Sequence, residues 1–250
     1  MRITQALVSD SLIFFKKNFI DRWGFVEYAD PNKPCVFFGG KELSSIIQNH
    51  NSIKIVLPGF PNDIPNFTIV TNKKNLYLIS PPHNLIPNDV ISKNFSVEIK
   101  DYSIFKPTIL GDKIYAYSGF KNGWQPNDLS KLNEIQKHID YEIITTNHIN
   151  KTDMYDINYL KSNYYDKCFL NLNFTNGHGM TTVRELGLMG RITIMNESHY
   201  KYPCIIGYDG NDDLIEKINK ESKKIGTIQN SINSHTINDE WLYTEFWDKK

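Results

Sequence analysis

Short apolar runs recur along the chain, each closed by glycine or proline and followed by a polar stretch of helical period. Residues 34–38 (PCVFF) end at Gly39-Gly40, and Lys41 to about Asn49 continues with helical spacing. The next apolar run, Ile53 to Leu57, stops at Pro58-Gly59. Strand, glycine turn, helix and strand in this order outline a βαβ unit. Further short strands are predicted at 67–70, 76–79 and 96–99, with Pro81-Pro82-His83 as a loop signal among them.

Residues 100–112 (KDYSIFKPTILGD) have no period and carry Pro107 and Gly111, which makes them the link between two units. Beyond them the alternation is cleaner. A strand at 113–117 leads through a loop holding Gly119, Gly123 and Pro126 to a helix at 128–138. A strand at 141–145, a helix at 156–164 and a strand at 167–172 follow, then a glycine-rich turn at 177–179. The spacing next predicts a helix from Thr182 to Met189, strands at 191–195 and 204–206, and a helix from Asp212 to about Lys223. Strands and helices alternating in this way imply parallel sheets covered on both faces. The fold class is therefore α/β, with two Rossmann-like βαβ domains, the N-terminal one small. Residues 1–105 and 106–225 form the two domains, and 226–250 a tail. Its aromatic stretch DEWLYTEFW (239–247) has helical spacing, so Trp241, Tyr243, Phe246 and Trp247 read as packing residues rather than as a sugar platform.

Composition narrows the partners. The chain has 250 residues, 40% apolar and 22% charged, enough for packed cores. Lys plus Arg and Asp plus Glu both number 28. This balance gives no global argument for nucleic acid or an anionic membrane, since those partners reward a basic surface. Cys35, Cys168 and Cys204 lie far apart inside apolar runs and read as buried, reduced thiols without zinc spacing. The uninterrupted apolar run Leu12 to Phe15 is too short for a signal-peptide core, and no segment approaches a spanning helix. The expected setting is cytoplasmic, with no membrane span and peripheral association left open, as monomer or homodimer.

The segment from Asn176 to Asn196 (NGHGMTTVRELGLMGRITIMN) is the most informative. It reads as flexible loop, short helix, glycine stop and strand. Glycines let the backbone approach a ligand closely, and the helix start beyond them offers unpaired amides and a positive dipole end suited to phosphate. In an open parallel sheet, ligands collect at the carboxyl ends of strands, where this loop falls. Thr182-Val-Arg-Glu185 is also the pattern of a capping box, which needs no ligand. His178 fits a ligand contact and a polar loop residue equally. Arg184 reads as solvent-facing or paired.

The run Gly179-x-x-x-Val183-x-Glu185-x-x-x-x-Gly190, followed by Ile192-Thr193-Ile194, resembles the donor-site signature of GT-B glycosyltransferases. The resemblance implies a GT-B architecture in which Glu185 binds the donor ribose. It places Gly177, His178, Gly179, Met180, Thr181, Thr182 and Val183 around the diphosphate, and lets Gly190 end the helix. Gly119 and Lys121 fall where such enzymes set a glycine turn and a basic residue against the diphosphate. Gly39 and Gly40 fall where the N-terminal domain turns towards the acceptor, and the C-terminal tail would pack back on that domain. The retaining subgroup would carry an acid where Gly177 stands, so the stereochemistry stays open. An inverting enzyme needs a base near the acceptor hydroxyl; the candidates are His83 first, then Asp63 and His50.

The expected function is transfer of a sugar from a UDP- or GDP-sugar co-substrate to a glycan, lipid or protein acceptor, with no metal and no further cofactor. Leaving-group charge would be met by helix amides and Lys121. One alternative is a non-catalytic nucleotide- or glycan-binding module on the same fold. Another is a dinucleotide-dependent oxidoreductase, for which Gly177-His178-Gly179 lacks the third glycine of the fingerprint.

Overall fold

The computed structural model describes residues 1–58, 70–71, 73–79, 90–93, 97, 102–117, 126–146, 156–174, 179–196, 202–233 and 239–247. All pairing between its strands is parallel. The chain divides into two compact units: Met1–Asp101 with Thr236–Lys250, and Tyr102–His235. Residues 226–233 therefore go with the second unit and not with a tail beginning at 226. They are held there by Gly226 N–H to the Leu110 carbonyl (3.0 Å) and Ile232 N–H to the Gly187 carbonyl (2.9 Å).

Unit 1 begins with elements in its first thirty residues that are additional to those predicted from the sequence. Strand β1 (Gln5–Val8) runs through a 3-10 turn at Asp10–Leu12 into α1 (Ile13–Trp23). Strands β2 (Val26–Glu27) and β3 (Cys35–Gly39), helix α2 (Ser44–Asn49), and strands β4 (Lys54–Pro58), β5 (Leu76–Ile79) and β6 (Ile91–Lys93) follow. Their order in the sheet is β2-β1-β3-β4-β5-β6. The expected strand at 76–79 forms as read. Those at 67–70 and 96–99 lie mostly outside the described residues.

The unbroken apolar runs follow from a sheet buried on both sides. Val36, Phe38, Ile55, Leu57, Tyr77 and Ile79 point to one face, where Phe19 and Trp23 of α1 cover them. Cys35, Phe37, Val56, Leu76 and Leu78 point to the other, under Leu43 and Ile47. Each such buried side chain contributes about 1.5–3 kcal/mol. The C-terminal segment completes the first face. Trp241 meets Trp23 edge to face at 5.2 Å, and Trp247 meets Tyr77 at 4.8 Å. Main-chain bonds from Ile3 N–H to the Leu242 carbonyl (2.6 Å) and from Thr244 N–H to the Met1 carbonyl (2.7 Å) fix that segment.

Unit 2 comprises β7 (Lys113–Ala116), α3 (Pro126–Gln136), β8 (Ile143–Thr145), α4 (Ile157–Leu160), β9 (Cys168–Asn173), α5 (Met180–Leu188), β10 (Ile192–Met195), β11 (Ile205–Ile206) and α6 (Gly210–Ser222). Helix α7 (Thr244–Trp247) belongs to unit 1. The strand order is β8-β7-β9-β10-β11. In chain order this is 2-1-3-4-5 in both units, apart from the sixth strand of the first. Helices α3 and α6 bury Leu132, Ile135, Leu214 and Ile218 with Ile114, Leu170 and Leu172. Helices α4 and α5 pack Leu160, Leu186 and Leu188 with Tyr115, Tyr165 and Cys168 on the other face.

Two local departures from the expected elements matter. The helix expected at 156–164 starts on Asp156, whose carboxylate accepts from Asn158 N–H (2.9 Å) and Tyr159 N–H (3.1 Å). It then widens into a π turn over Lys161–Tyr165, closed by Asp166 N–H to the Lys161 carbonyl at 2.8 Å. Helix α5 starts at Met180, two residues before Thr182, so Thr182 is inside its first turn and the capping box does not form.

Candidate functional site

A doubly wound sheet has one place where neighbouring strands send their connections to opposite faces, and a crevice opens there at the carboxyl ends. In unit 2 that place lies between β7 and β9. The chain leaving β7 leads to Gly119 and Lys121, and the chain leaving β9 leads to Gly177, His178 and Gly179. Tyr117, the residue after β7, donates its N–H to the Leu172 carbonyl (3.0 Å), which locks the two strand ends together. Gly119, Lys121, Gly177 and His178 themselves lie outside the described residues, as do His83 and Asp63.

Gly179 is the N-cap of α5, with φ 76° and ψ 19°, and as a glycine it brings no side chain to cap the helix. The left-handed backbone there favours glycine. Space demands it as well: a β-carbon on Gly179 would overlap the Tyr117 ring, with Cζ only 2.8 Å away. The first-turn amides of Met180, Thr181 and Thr182 thus have no capping partner among the described residues, the arrangement that receives anions at helix starts. Met180 and Thr181 are half-buried, whereas Thr182 and Val183 are buried.

Glu185 is 1% exposed and turns towards the sheet. The Tyr165 hydroxyl donates to its Oε2 at 2.9 Å and lies 3.3 Å from Thr182 Oγ1. The π turn sets Tyr165 at this point, and Tyr115 packs edge to face on it at 5.5 Å. Burial, and then the neighbouring Glu185 carboxylate, push the Tyr165 phenol well above its ordinary pKa, so it stays protonated and keeps its hydrogen on Glu185. Tyr115 continues the polar chain by donating to Thr146 Oγ1 at 3.3 Å. Arg184 is buried, not solvent-facing, with its guanidinium 4.7 Å over the Tyr102 ring.

Unit 1 repeats the same geometry. Its switch lies between β1 and β3. Ser9, the residue after β1, donates its N–H to the Phe38 carbonyl at 2.9 Å, and a β-carbon on Gly39 would overlap its side chain. Gly39 and Gly40 are both buried at this edge. His50 is not. It precedes β4, at the amino ends of the strands, is 0% exposed, and packs edge to face on Phe37 at 5.3 Å. Burial lowers its pKa, and the reading of His50 as a base at the carboxyl edge is set aside.

Sequence reasoning passed over Tyr117, Tyr165 and Ser9. A signal for Ser9 was present: an apolar QALV run meets Ser-Asp-Ser and then a long amphipathic stretch stopped by Gly24. Tyr165 left none, because a π turn has no distinct period. Among the described residues no cluster of His, Cys, Asp and Glu is arranged to hold a metal, and no helix is long and apolar enough to cross a membrane. No protein-family model matches the chain, and no curated protein matches it significantly.

Proposed function

We propose that this chain is a GT-B glycosyltransferase whose unit 2 holds a nucleotide-sugar donor. The observation that carries the reading is the meeting of Tyr117 and Gly179 at the β7/β9 switch, with the glycine-led start of α5 beside it. There the amides of Met180, Thr181 and Thr182 would receive the donor's diphosphate, with Lys121, Gly119, Gly177 and His178 on the adjoining loops. In the transfer, the bond from the anomeric carbon to the diphosphate oxygen breaks and the acceptor oxygen forms the new glycosidic bond. A base takes the acceptor proton, and the nucleoside diphosphate leaves with its charge met by the helix start. His83 and Asp63 remain the proposed bases, and Gly39 and Gly40 the proposed acceptor-side turn. A glycan, lipid or protein is the acceptor, and the setting is cytoplasmic.

The test is calorimetric titration with UDP-, GDP- and dTDP-sugars, followed by an assay for transfer. Saturable binding of one donor class with sugar transfer supports the reading; no binding to any of them overturns it.

One observation favours a second reading, a non-catalytic binding module. Glu185, the residue assigned to the donor ribose, points into the core and is held by Tyr165. Donor binding without transfer to any acceptor would favour this reading over the first.

A further inference from the structure

Helix α3 carries Lys131, whose ammonium donates to the Tyr208 hydroxyl. The same ammonium lies 4.5 Å from the Tyr208 ring centre and 5.0 Å from that of Phe174. The two rings meet at 6.2 Å and 73°. Phe174 directly follows β9 and immediately precedes residues 175–178, and Tyr208 lies two residues before α6. A cation is thus fixed at the carboxyl edge of the sheet, on the α3/α6 side, at the root of the loop that leads to Gly179.

This cation is held differently from the lysines in ion pairs. Lys113, Lys137, Lys161, Lys217 and Lys224 each pair with a carboxylate. Among the described residues Lys131 has no carboxylate within 4 Å; the nearest acids in sequence are Asp128 and Glu134, three residues to either side, and Asp128 attracts it across a longer distance without forming an ion pair. Ring faces and a phenol orient an ammonium but do not neutralise it. The result is a held positive charge, beside a strand end where ligands collect.

We infer that Lys131, clamped by Tyr208 and Phe174, is a binding residue for a phosphate-bearing anion at the carboxyl edge of unit 2. That the anion is the diphosphate of a nucleotide sugar rests on the function proposed above. The anion site itself does not. Lys131 then shares with the α5 amides the charge of the leaving group, approaching it from the opposite face of the sheet.

The experiment compares the wild-type chain with Lys131→Met, which keeps the aliphatic stem over the rings and removes the charge. The probes are inorganic pyrophosphate, UDP, GDP, uridine and guanosine, titrated calorimetrically at fixed ionic strength, with urea midpoints showing that both proteins are folded. The expected result is a loss of roughly 10–100-fold in affinity for pyrophosphate and the bound nucleotide, the size of a charge-assisted hydrogen bond. Any binding of the free nucleoside should be unchanged. Equal pyrophosphate affinity in the two proteins, or no pyrophosphate binding by the wild type, overturns the inference. Nucleotide binding that survives Lys131→Met undiminished overturns the inference and leaves the donor reading standing. Pyrophosphate binding lost in Lys131→Met, with no nucleotide bound by either protein, supports the inference and counts against the donor reading.

Discussion

The Tyr117 ring occupies the space that a side chain on Gly179 would need, so the residue after β7 and the N-cap of α5 can meet only because one of them is glycine. Ser9 and Gly39 make a similar close approach in unit 1, there at the end of β3 and not at a helix start. In each pair the residue after the first strand at the switch packs on a glycine that follows from the second: Gly39 at the end of β3 itself, Gly179 at the start of the helix after β9.

Gly179→Ala forces an L-residue into a left-handed conformation and drives its methyl into the Tyr117 ring. The backbone alone costs about 1–2 kcal/mol, and the overlap adds to it. Urea unfolding should show a midpoint lowered accordingly. Gly179→Ala combined with Tyr117→Ala should recover the part due to overlap and not the part due to the backbone.

Glu185 and Tyr165 should act as a couple. Glu185→Ala leaves the Tyr165 hydroxyl without its carboxylate acceptor, at a cost of about 1–3 kcal/mol beyond the cavity formed. Glu185→Gln keeps an acceptor of the same shape and should lose less. A double-mutant cycle with Tyr165→Phe measures the coupling; additive losses would show that the 2.9 Å bond contributes nothing to stability.

His50 should make unit 1 sensitive to mild acid. Burial lowers its folded-state pKa below the ordinary value of about 6.5. The unfolded chain therefore takes up the proton first as pH falls. Stability should be constant above the unfolded pKa and decline from there down to the folded one. Urea midpoints between pH 7.5 and 5, compared with a His50→Gln variant that has lost this slope, check the assignment.

The three thiols should be unreactive in the native protein. Burial pushes Cys168 and Cys204 up to about 11 and Cys35 higher still. At pH 8 almost no thiolate forms, and the sulfurs are covered. Ellman's reagent should label none of them until denaturant is added; rapid labelling of any one in the folded protein would contradict its burial.

The parts of this fold that the sequence announced are those where burial on both faces left an unbroken apolar run, such as Cys35–Gly39, Lys54–Pro58 and Cys168–Asn173. Glycine stops then gave the connections. Legibility failed where a tertiary partner decides the matter. Thr182 and Glu185 fit a helix-start pattern by spacing, yet the left-handed turn at Gly179 moves the start to Met180 and hands both side chains to Tyr165. His50 lies in the right half of the chain for a base, and only the strand direction shows that it sits at the wrong end of the sheet. Lys131 reads as an ordinary helix lysine until Phe174 and Tyr208 are seen around it.

Unit 1 is built from two stretches of chain with all of unit 2 between them. During synthesis, the sheet face around Trp23 and Tyr77 must therefore wait for Trp241 and Trp247 while some 140 residues are added. At about 5–20 residues per second this lasts roughly 7–30 s. For that interval the first unit carries an uncovered aromatic face, and the second is complete at His235, just before the covering residues arrive. The half of the chain made first is thus the half whose core is closed last, and its waiting face is the one a chaperone would shield.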